Sequence, residues 1–192
     1  MQVVKTRTCV ERLLFTCALM ACFASPCRAE VQEKMNVNYY AVTVGTQALG
    51  DALLAANPMK AEGGHAYTAW HINWHFETSQ ASGSLCKVSS VTTTLAITMT
   101  LPQLASAPPD AQAKFDAYLP KLRLHEDGHA AIARQTASQI DSAIAGAANI
   151  PCGSIVADVN KIADDIINAA KATEVDYDAT THHGKTQGAW LE

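Results

Sequence analysis

The chain has 192 residues, of which 48% are apolar and 17% charged, with a formal net charge of −4. That composition excludes a disordered or low-complexity chain and belongs to an ordinary globular protein. Lys and Arg form no cluster, so there is no electrostatic footprint for nucleic acid.

Residues 1–29 read as an export signal. Lys5, Arg7 and Arg12 form a positive start, Leu13 to Ala24 an apolar stretch, and Cys27-Arg28-Ala29 a small-residue cleavage site before Glu30. The apolar stretch is too short to span a bilayer. Leu19-Met20-Ala21-Cys22 also resembles a lipoprotein processing box, which would leave Cys22 lipidated, but Met20 fits that box poorly. Cleavage after Ala29 removes four cations and one anion and moves the net charge from −4 to about −7. About 163 residues then remain, the size of one domain with its own core. Four of the six cysteines leave with the signal, and Cys86 and Cys152 remain. In an oxidising compartment an even pair reads as a disulfide; zinc thiolates are the weaker alternative, since neither has a second ligand at chelating distance in sequence.

Asn36 to Val44 alternates with period two and predicts a first strand. Thr46 can cap a short helix over Gln47–Ala56, stopped by Asn57-Pro58. Ala69–Phe76 predicts a second strand, with Trp70, Ile72, Trp74 and Phe76 on one face and His71, Asn73 and His75 on the other. Those two histidines are about 13 Å apart along a strand, too far to chelate one ion, so a solvated face is the simpler reading. Ser79–Ser84 predicts a hairpin loop and Cys86–Leu101 a third strand, ended by Pro102. The expected fold class is α+β: a small antiparallel sheet of about three strands, a short helix and two longer C-terminal helices.

Asp110 can cap a helix through Phe115 and Tyr118, with Pro120 as a break or a new start. Beyond it runs Leu122-Arg123-Leu124-His125-Glu126-Asp127-Gly128-His129, in good helix formers that continue to Ala145. On a helix, His125 and His129 leave the same face and can share one ion, with Glu126 beside them. This is the His-Glu-x-x-His arrangement in which two imidazoles hold Zn²⁺ and the Glu takes a proton from water. Gly128, costly inside a helix, suggests that something approaches the backbone there. After a turn at Pro151-Cys152-Gly153, Ile155, Val159, Ile162, Ile166 and Ala170 predict a last helix ending near Thr173.

A catalytic zinc needs a third protein ligand. Downstream of His129 the candidates are Asp141, Asp164, Asp165, Glu174, His182 and His183. The two stretches His125-Glu126-Asp127-Gly128-His129 and Tyr177-Asp178-Ala179-Thr180-Thr181-His182-His183-Gly184, with Gln187-Gly188 following, resemble the bacterial domain-of-unknown-function 922 family, described as predicted secreted zinc-dependent proteases. The resemblance extends to the Trp70 and Trp74 strand and the Leu101-Pro102 step. It implies a zincin-like domain over residues 30–192 and points to His183 as the third ligand. Beside it, the residues imply a mechanism. Glu126 would be the general base, and Tyr177 or His182 would donate a hydrogen bond to the oxyanion. Asp178 would orient a ligand imidazole. Tyr177 as a packed aromatic and Asp178 as a turn residue remain open. A peptide substrate is the expected partner. The alternatives are a noncatalytic envelope protein whose zinc has a structural or partner-binding role, and zinc sequestration by the seven histidines.

Overall fold

A computed structural model describes residues 31–59 and 64–191. The expected signal over 1–29 and Cys22 lie outside the described residues.

The elements run in the order β1 (Gln32–Thr43), α1 (Leu49–Ala56), β2 (Tyr67–Ser82), β3 (Leu85–Ser106), α2 (Pro109–Ala145), β4 (Ala148–Pro151) and α3 (Ile155–Thr181), followed by a 3-10 turn at Lys185–Gln187. The class is α+β. The expected all-antiparallel, three-stranded sheet needs correction on two points. The spatial order is β1-β3-β2, with β4 added against the start of β3, and β1 lies parallel to β3. The cause lies in β3. Leu95, Ile97, Met99 and Leu101 are each at most 1% exposed, so the most apolar strand takes the centre. A tight turn at Gly83 and Ser84 makes it antiparallel to β2, and β1 fills the remaining side.

Pro102 does not end β3. The last β2 pair is Tyr67 with Thr100, so Pro102 sits where β3 has only β1 beside it, a position that tolerates a missing donor. Trp70, Ile72, Trp74 and Phe76 turn to the core and His71, Asn73 and His75 to solvent, as expected.

Helix α2 runs unbroken through Pro120, against the expected break. An interior proline costs about 3 kcal/mol. Phe115, Tyr118 and Leu122, all about 5% exposed or less, anchor the turns on both sides of it in one cluster with Met99 and Leu101. Each such burial contributes roughly 1.5–3 kcal/mol. Farther along α2, Ala130, Ala133, Ala137, Ile140 and Ile144 make a second cluster with Leu95, Ile97, Ile155 and Val159. Cys86 and Cys152 form a disulfide. It ties the turn end of the β2–β3 hairpin to the connection between α2 and α3. No helix among the described residues is long and apolar enough to cross a membrane.

Helix α3 outlasts its predicted end by two turns. Ala170 is the last aliphatic residue of the buried face, yet the spacing continues as Glu174, Tyr177 and Thr181. The inward face turns polar, and the helix goes on.

Candidate metal centre

The extension of α3 builds the site. Glu174, Tyr177 and Asp178 are spaced i, i+3 and i+4 and share one face. His129 meets Glu174 while His125 meets Asp178, so α2 and α3 cross in opposite directions and the two motifs face each other.

Asp178 Oδ1 lies 3.2 Å from His125 Nε2 and 3.1 Å from His129 Nε2. One ligand atom from each of the three residues falls within 4.8 Å of the others, so His125, His129 and Asp178 form a group that could hold a metal ion. The opposite ring nitrogens are also engaged. His129 Nδ1 bonds Glu174 Oε2, whose other oxygen accepts from Trp70 Nε1 at 3.0 Å. His125 Nδ1 bonds Gln187 Oε1 at 3.0 Å. Two Nε2 atoms are thereby left facing one carboxylate oxygen, a donor set suited to Zn²⁺.

The expected third ligand, His183, is not part of this group. Its side chain is 82% exposed, and its Nδ1 is 3.8 Å from Asp178 Oδ1. His182 and His183 have φ of 49° and 52° where α3 unwinds, and both are exposed at the edge of the site. The structure thus places Asp178 where His183 was expected, and Glu174 in the orienting position expected of Asp178.

Glu126 is 4% exposed and accepts a hydrogen bond from Thr68 Oγ1 at 2.7 Å. Burial raises its carboxyl above the usual range, although the Thr68 bond pulls the other way. The two histidines diverge. Burial holds His125 below its ordinary value. Burial pushes His129 the same way, but the Glu174 bond and the surrounding carboxylates outweigh it and raise the ring.

Tyr177 stacks on His125, with centroids 5.1 Å apart and planes 9° apart. Its hydroxyl donates to the His125 carbonyl at 3.1 Å and accepts from Gln187 Nε2 at 2.9 Å. That hydroxyl is committed to the helix backbone, on the side away from the cavity. Tyr177 is also what approaches Gly128, where a Cβ would overlap the hydroxyl and Cζ and lie 2.9 Å from Cε1.

A cavity of about 1390 Å³ opens over the group, lined by His125, Glu126, His129 and Asp178 and also by Trp70 and His65. Thr68, Gln187 and the helper role of Glu174 were not read from sequence. The Glu174-x-x-Tyr177-Asp178 spacing, taken as helical, was the signal for the last.

A family model described as "Bacterial protein of unknown function (DUF922)" matches residues 37–184, and the chain belongs to that family. Comparisons with curated proteins and with solved structures return no match.

Proposed function

We propose that this DUF922 protein is an exported zinc-dependent peptidase whose metal is held by His125, His129 and Asp178. The observation that carries the reading is the placement of Glu126: a buried carboxyl with a raised pKa on the turn between two convergent histidines, in the wall of a large cavity. A bound Zn²⁺ would polarise the scissile carbonyl and bring the pKa of a water to about 7. Glu126 accepts the proton of the attacking water and passes it to the leaving amine, and the upward shift that burial gives its carboxyl makes it a better base for the first transfer. Thr68 holds the carboxylate in place through the bond to Oε2. Glu174 keeps His129 oriented and, by accepting its Nδ1–H, raises the basicity of Nε2. The disulfide is compatible with an oxidising compartment and so with export.

The test is hydrolysis of a peptide library by the purified protein and by Glu126→Gln, with metal content measured in both. Cleavage by the wild type and its loss in a variant that still holds one zinc per chain support the peptidase. Asp178→Ala and His183→Ala separate the ligand sets, since only the first is expected to lose the metal. A second reading, a noncatalytic zinc protein, draws on the 3.8 Å approach of His183 to Asp178. A fourth protein ligand there would close the site, and Glu126→Gln would then change nothing but stability.

A further inference from the structure

We propose that Tyr177 and Gln187 form a hydrogen-bond circuit that fixes the tautomer of His125, leaving the Nε2 lone pair aimed at the metal position. The inference rests on the metal-binding reading above and adds two positioning residues to it.

The donors and acceptors close in only one way. The His125 carbonyl can only accept, so the Tyr177 hydroxyl 3.1 Å away must donate to it. Its single proton is then spent, and toward Gln187, 2.9 Å away, it can only accept. The amide nitrogen of Gln187 must therefore face Tyr177, which turns the amide oxygen toward His125 Nδ1 at 3.0 Å. An amide oxygen has no proton to give, so Nδ1 carries the hydrogen. The imidazole thus sends its free electron pair out through Nε2, toward Asp178 Oδ1, the atom that His129 Nε2 also faces.

The surrounding backbone is shaped to hold this circuit. Gly184 has φ of 82°, and a Cβ there would come within 3.0 Å of His125 Cγ, so the segment leading to Gln187 runs directly against the ring. The 3-10 turn at Lys185–Gln187 then brings Gln187 back over α2. His129 has a carboxylate, Glu174, at the corresponding nitrogen. The two ligands are therefore unequal, with an anionic partner behind one and a neutral amide behind the other.

The experiment measures zinc affinity by chelator competition for the wild type, Gln187→Met, Gln187→Glu and Tyr177→Phe, with circular dichroism as the folding control. Removing such a partner of a ligating histidine typically lowers metal affinity 10–100-fold. Gln187→Met is expected to fall in that range and Tyr177→Phe in the same direction. Gln187→Glu keeps an acceptor at Nδ1 and is expected to retain the affinity. Long-range ¹H–¹⁵N spectra of the zinc-loaded wild type should place the proton of His125 on Nδ1. Folded Gln187→Met that binds zinc within about twofold of wild type overturns the circuit, as does Gln187→Glu falling as far as Gln187→Met. A wild type that takes up no zinc at all overturns the metal reading itself, a result distinct from either.

Discussion

Replacing Gly128 by Ala sets two effects of opposite sign against each other. In a helix interior free of neighbours, Gly→Ala stabilises by about 1 kcal/mol. Here the new Cβ would occupy the place of the Tyr177 hydroxyl and ring edge. If the ring leaves, it gives up hydrogen bonds to the His125 carbonyl and Gln187, about 1 kcal/mol each. It also gives up its stack on His125, about 1 kcal/mol more. The total near 3 kcal/mol exceeds the helix gain and leaves a net loss of about 2 kcal/mol. For a domain of this size that is a fall in Tm of roughly 4–8 °C. Thermal unfolding of four proteins, wild type, Gly128→Ala, Tyr177→Ala and the double variant, measures it. With Tyr177 truncated, Gly128→Ala should become neutral or stabilising, for a coupling of about 3 kcal/mol. A higher Tm for Gly128→Ala in the otherwise native chain would refute the reasoning.

Replacing both Cys86 and Cys152 by Ser opens a loop of 66 residues and is expected to lower stability by up to about 4 kcal/mol in the chain-entropy model. Guanidinium unfolding checks it, and an unchanged midpoint would contradict it. Glu33 meets Arg134 through Nε and Nη2 at 2.7–3.0 Å, which holds the Glu33 carboxyl below its usual range. A depressed folded pKa contributes stability above the unfolded value of 4.5 and loses it as pH falls through the folded value. Glu33→Gln should therefore cost less than about 1 kcal/mol at pH 7, and the difference should shrink steadily as urea midpoints are measured at successively more acid pH.

The sequence shows its local chemistry more clearly than its pairings. Period-two alternation in β2 and β3, the His-Glu-x-x-His helix and the cysteine pair are local signals, and each is present in the fold. The direction of β1 is not local. It depends on which strand is apolar enough for the centre of the sheet, a comparison among strands rather than within one. Pro120 and Pro102 misled because a proline's cost is fixed while its compensation comes from residues packed elsewhere. The membership of the His125, His129 and Asp178 group was not legible for a related reason. The helix was expected to end near Thr173, whereas Glu174, Tyr177 and Thr181 are the inward face of a helix that turns hydrophilic at the site. His183, conspicuous in sequence, falls where the helix ends and is largely exposed, while Asp178 lies one turn earlier on the inward face.

Helix α3 also acts as a mechanical lever. Its first turn is pinned near the disulfide, and Asp178 sits 23 residues farther on, about 35 Å at the helical rise. A tilt of one degree about the pinned end carries Asp178 through about 0.6 Å, several times the roughly 0.2 Å that ligand distances tolerate. Precision at the site therefore cannot come from the covalent anchor. It must be imposed at the free end of the lever, where Tyr177 is seated in the notch at Gly128 and the chain beyond Gly184 folds back against His125.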